Sequence, residues 1–132
     1  MKKQKKSYAS KEEEKIFAIL DKVFPDAGYI DQGFYSFLIS PRGYLMQLDR
    51  YYPRYNLAFE INGKQHYKYS KHFHKTEENF NYQQECDSLK VEICKSKGIT
   101  VIQIPYFRKT TVESIPLEIQ SVNPELYKKI WG

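Results

Sequence analysis

The stretch "LMQLDRYYPRYNLAFEINGKQHY", residues 45–67, decides how the chain is read. Two apolar and aromatic runs, "YLMQLDRYY" (44–52) and "NLAFEIN" (56–62), flank the turn signal "PRY" and so read as consecutive antiparallel strands. Asp49 and Glu60 each interrupt a run that otherwise suits a buried strand. An acid in a strand ordinarily points to solvent, because side chains alternate between faces. Here the short turn lets both acids reach the same end of the sheet. Glu60 is also enclosed by "LAF" and "IN", which leave it few polar neighbours.

Working outward, "GFYSFLIS" (33–40) precedes the pair across "PRG", which makes a three-strand meander. "SKEEEKIFAILDKVF" predicts an amphipathic helix, with Ser10 as N-cap, Glu13 as its capping-box partner, and Ile16, Ile19, Leu20 and Val23 at helical spacing. After Gly63 the chain is polar and irregular to about residue 76. "TEENFNYQQECDSLKVEICKSKG" predicts a long second helix closed by Gly98, with Phe80, Leu89, Ile93 and Cys86 inward. "ITVIQIPY" (99–106) is a β-branched buried strand. A short helix around "TVESIPLEI", interrupted by Pro116, and a last one in "NPELYKKIWG" complete the chain. The order αβββαβα implies an α/β sandwich around a mixed sheet, in one domain over residues 10–132. "MKKQKK" and the residues up to 9 read as a mobile basic arm.

At 132 residues a single domain buries roughly two-thirds of its unfolded surface. Apolar residues make up 41%, enough for a packed core. The net charge of +5 suits an anionic partner such as nucleic acid. No apolar stretch nears the roughly 20 residues that span a bilayer, so no membrane association is expected. The basic start runs into "SYASKEEEK" rather than an apolar segment, so it is not a secretory signal. Cys86 and Cys94 share the second helix, about 12 Å apart, too far to pair. Reduced thiols imply the cytoplasm, or a host cytoplasm for a viral or phage protein.

Two carboxylates held close together raise each other's pKa unless a cation joins them. Mg²⁺ fits such a pair, using one or two carboxylates and keeping several waters. It polarises a phosphate and lowers the pKa of water. Phosphodiester hydrolysis then needs a third polar group to orient or deprotonate water, and a positive surface for the substrate.

"LDRYYPRYNLAFEINGKQHY" resembles the core of the PD-(D/E)XK nuclease superfamily, on the branch of very-short-patch repair and phage homing-type endonucleases. Asp49, then Glu60, Gly63 and His66 in an "E-x-x-G-x-x-H" pattern, carry the likeness. "CDSLKVEICKSKGITVIQI" is similar to the branch's helix-then-strand segment, with Asp87, Lys90, Gly98 and Ile99 in place; "SKEEEKIFAIL" resembles its first helix through Glu13 and Ile16. The resemblance covers roughly residues 10–106. It implies a restriction-endonuclease-like fold and a metal-dependent DNA endonuclease, with Asp49 and Glu60 as ligands of Mg²⁺, for which Mn²⁺ substitutes. A nicking, mismatch or branched-DNA enzyme would fit. A non-catalytic nucleic-acid-binding module of the same fold is the alternative.

The chain departs from the superfamily where its lysine belongs, two residues after the Glu: here stands Asn62. His66 is the first candidate to replace it, oriented by Asp87, and Lys90 the second. Glu13 is either a cap alone or a supporting metal or water contact. Asp87 and Lys90 also fit an ordinary helix-surface pair. Lys64, Lys68, Lys71, His72 and His74, interleaved with aromatics, suit phosphate contact, and Arg50 and Arg54 would flank the substrate channel. His66, His72, His74 and Cys86 match no closed zinc pattern. With no separate recognition domain in this length, specificity is expected from shape or from a homodimer.

Overall fold

The computed structural model describes residues 10–132; the basic arm at 1–9 lies outside the described residues. Helix α1 (Lys11–Val23) is followed by strands β1 (Ile30–Ile39), β2 (Leu45–Tyr52) and β3 (Leu57–Asn62), a short helix α2 (Lys71–His74), the long helix α3 (Glu77–Ser96), strand β4 (Thr100–Pro105), and helices α4 (Ser114–Val122) and α5 (Pro124–Trp131). The sheet runs β1-β2-β3-β4, antiparallel up to β3 and parallel between β3 and β4. The expected mixed α/β architecture with its three-strand meander is therefore present.

α1 begins where the sequence placed its cap. Ser10 Oγ accepts the Glu13 N–H, and Glu13 Oε1 accepts the Ser10 N–H. α3 ends in a Schellman turn: Ile99 N–H donates to the Cys94 carbonyl and Gly98 N–H to that of Lys95. Gly98 sits at φ +80°, where a glycine avoids the steric cost of a Cβ.

Two layers of apolar packing enclose the sheet. On one face Ile16 and Leu20 of α1, Ile115 and Ile119 of α4 and Leu126 of α5 meet Leu57, Phe59 and Ile61 of β3. On the other, Cys94 of α3 packs with Ala58, Leu48 and Val101. Strand alternation therefore sets Glu60 and Asn62 on the α3 side with Ala58. All six residues of β3 are buried, as befits a strand covered on both faces.

Three local expectations change. The segment after Gly63 is not irregular throughout, because Lys64–His66 makes a 3-10 turn and Lys71–His74 a helical turn. Pro116 does not interrupt α4; it lies in the first turn, where its missing N–H has no intrahelical acceptor to lose. On α3 it is Cys94, fully buried, rather than Leu89, that sits deepest in the core.

Candidate active site at the end of the β2–β3 pair

The β2–β3 ladder pairs Tyr52 with Leu57, Tyr51 with Ala58 and Arg50 with Phe59. One step further the same register sets Asp49 opposite Glu60. There the side chains take over from the backbone. Asp49 N–H donates to Glu60 Oε2 at 2.8 Å, and Ile61 N–H donates to Asp49 Oδ2 at 2.8 Å. The two carboxylates thus meet at one point, between strands, on the α3 side.

α3 completes the cluster. Gln83, Asp87, Lys90 and Cys94 recur at helical spacing along the face turned to the sheet. Lys90 Nζ donates to Glu60 Oε1 at 2.7 Å. Asp87 Oδ2 lies 2.8 Å from His66 Nδ1, on the turn after β3. With Nδ1–H donating to Asp87, Nε2 of His66 is left as a hydrogen-bond acceptor. Gln83 Nε2 approaches both ring nitrogens at 3.4 Å, a weak contact that frames the imidazole. The sequence reading missed Gln83, although its place four residues before Asp87 carried the signal.

Burial dominates the electrostatics. Desolvation, then the Glu60 charge, pushes Asp49 up to about 7, while the Ile61 N–H and the Lys90 charge pull against this. Desolvation also raises Glu60, with Lys90 offsetting part of it. For Lys90 burial opposes the charge, but Glu60, Asp49 and Asp87 more than offset it and hold the ammonium protonated. Glu13 is raised by its own desolvation and feels both Asp49 and His66. Glu13 is thus a cap and also a neighbour of the acid pair. One ammonium leaves this acid cluster under-neutralised.

That imbalance is the test of whether a divalent cation fits. Among the described residues no three His, Cys, Asp or Glu side chains converge as a ready-made metal cage. Asp49 Oδ1 nevertheless has no hydrogen-bond partner among them, and Glu60 beside it is held by the Lys90 ammonium. Two hard carboxylate ligands without a Cys or His between them match the donor set of Mg²⁺ and not a closed zinc site.

Other candidates part company. Arg50, next to Asp49 in sequence, points to the opposite face and is 2% exposed. It donates to Asp31 at 2.7 and 3.0 Å, to Asp21 at 2.7 Å, and stacks over the Tyr29 ring. Strand alternation makes it a clamp between α1, β1 and β2 and not a wall of the substrate channel. Arg54 is exposed on the β2–β3 turn, five positions from Asp49, so at about 3.3 Å per residue it does not flank the acids. His74 is not on the surface: it is buried, with Ser70 N–H donating to Nδ1 and Nε2 against Gln65 O and Gln83 Oε1. It locks the loop to α3 and makes no phosphate contact. Lys64, Lys68, Lys71 and His72 remain exposed on that loop.

The chain is 44% identical over 71 residues to the uncharacterized protein 307L of Invertebrate iridescent virus 6, covering 54% of this chain and 34% of that one. It is 31% identical over 96 residues to the uncharacterized protein 033L of Invertebrate iridescent virus 3, covering 72% of this chain and 45% of the other. The uncharacterized protein 094L of Frog virus 3 (isolate Goorha) is 37% identical over 65 residues, 48% of this chain and 42% of its own. The chain thus spans less than half the length of these curated relatives. No family model matches it, and no solved structure does.

Proposed function

We propose that the chain is a metal-dependent DNA endonuclease of restriction-endonuclease-like fold, hydrolysing phosphodiester bonds by in-line attack of water. The observation that carries this reading is the convergence of Asp49, Glu60, Lys90, His66 and Asp87 at one end of the β2–β3 pair. Asp49 and Glu60 would hold Mg²⁺, or Mn²⁺ in its place. The chemistry the ion supplies when bound is Lewis-acid polarisation of a phosphate oxygen.

The protein's own groups do the rest. His66 Nε2 orients the attacking water and takes its proton as the new P–O bond forms and the bond to the leaving oxygen breaks. Asp87 holds the imidazole in the tautomer this requires. Lys90, which reaches Glu60 from α3, is the second candidate after His66 to stand in for the superfamily lysine missing at Asn62. Exposed Lys64, Lys68, Lys71 and His72 bind flanking phosphates, an attraction that salt weakens.

A non-catalytic nucleic-acid-binding module is the second reading. In its favour, the backbone N–H groups and Lys90 already satisfy most of the carboxylate oxygens, enough to close the strand ends without an ion. Supercoiled plasmid incubated with Mg²⁺ or Mn²⁺ separates the two. The nuclease reading expects nicked or linear product that EDTA stops and that Asp49→Ala and Glu60→Ala each abolish. Intact plasmid and intact branched DNA with either metal would leave the binding module.

A further inference from the structure

Beside His66 and Asp87 the surface opens into a groove of about 590 Å³, within the range of about 300–1,000 Å³ typical of small-ligand clefts. Asn62, Tyr67, Gln84 and Gln103 line it together with those two residues. No Lys or Arg does so among the described residues; the remaining charges are acidic, Asp87 and Glu92. A phosphate is therefore a poor occupant. Loop lysines instead line a separate, smaller pocket, through Lys64 and Lys68.

The groove's hydrogen-bonding groups are open. Asn62 is 4% exposed, its amide N–H₂ donates to Tyr67 Oη at 3.3 Å, and its carbonyl oxygen has no partner among the described residues. The Gln84 and Gln103 side chains have none there either. Parallel pairing of Glu60 with Gln103 brings that amide beside the acid pair. Tyr67 also belongs to an aromatic trio, 5.4 Å from Phe107 and 5.9 Å from Tyr106, and Phe107 is 66% exposed. These rings are not core. Amides with both donors and acceptors, beside exposed aromatic faces, match the polar edge and flat face of a nucleobase.

We propose that this groove holds an unpaired nucleobase next to the phosphate presented to Asp49 and Glu60, so that the substrate is DNA with an extrahelical or single-stranded nucleotide. A fully paired base cannot offer its face and edge to the groove without leaving its stack. The proposal rests on the phosphodiesterase reading of the same site, yet it is a statement about binding and is tested as one.

Fluorescence anisotropy in metal-free buffer compares a duplex carrying one unpaired nucleotide with the same duplex fully paired. Wild type should bind the unpaired form about ten-fold or more tightly, and an abasic residue at that position should remove the difference. Tyr67→Ala and Gln103→Ala should each reduce the preference, whereas Tyr67→Phe, which keeps the ring, should retain it. Gln103 is exposed on β4, so its variant tests the groove even where Tyr67→Ala melts early by circular dichroism. Equal affinity for the two duplexes, or an undiminished preference in Gln103→Ala and a folded Tyr67→Ala, would overturn the proposal. Cleavage without the preference sinks the groove alone. The preference without cleavage in any metal sinks the nuclease reading and keeps the groove.

Discussion

Asp49 and Arg50 are neighbours in sequence with opposite fates, and both fates follow from strand alternation. Asp49 faces α3 and the acid pair, while Arg50 faces α1 and the side chains of Asp21 and Asp31. Arg50→Ala should therefore cost about 2 kcal/mol in urea unfolding, since the buried guanidinium's charge-assisted hydrogen bonds and its packing on Phe17 and Tyr29 are lost while half-exposed Asp21 and Asp31 turn to water. DNA affinity of the folded fraction should stay unchanged, which an arginine in the substrate channel would not allow. Asp49 makes a pH prediction whose sign is opposite to the usual carboxylate. Its folded pKa stands at about 7, raised from 3.8, so the native state holds the proton more tightly than the unfolded chain does. The corresponding stability is fully present below pH 3.8 and is lost as pH rises through about 7. In EDTA, denaturant midpoints should fall over that window. Mg²⁺ should restore them, and Asp49→Asn should flatten the dependence.

α3, the β2–β3 pair and the turn after β3 supply the cluster between them, and much of that was legible beforehand. The turn at "PRY" fixed the meander, and a register in which Asp49 meets Glu60 follows from so short a connection. Asp87 and Lys90 showed their shared helical face, although the sequence alone also allowed a solvent pair; depth of burial comes only with packing against β3. His74 and Arg50 were misread for one reason. Basic composition near an acid motif suggests phosphate contact, but it does not reveal which polar side chains are consumed by buried partners. Pro116 was misread because a proline signals a break only beyond the first helical turn. The Schellman end of α3 carries its own check. Gly98→Ala, at φ +80°, should cost about 1–2 kcal/mol. The loss should appear in thermal unfolding and leave the residues of the acid cluster in place.

As a whole, the molecule is a four-stranded mixed sheet between α3 on one side and α1, α4 and α5 on the other, with its charged cluster where β2 and β3 part. No helix among the described residues is long and apolar enough to cross a membrane. Whatever the longer relatives add outside the matched part, the residues argued to do chemistry all lie between Asp49 and Lys90, within one sheet end and one helix. The central claim is that Asp49 and Glu60 form a cation cradle which Lys90 only caps in the absence of metal. Anomalous diffraction from crystals soaked in Mn²⁺ tests it directly. The account predicts one peak within about 2.0–2.3 Å of carboxylate oxygens from both Asp49 and Glu60, with Lys90 Nζ moved away from Glu60. A map with no metal at that point, and Lys90 still bonded to Glu60, would contradict it.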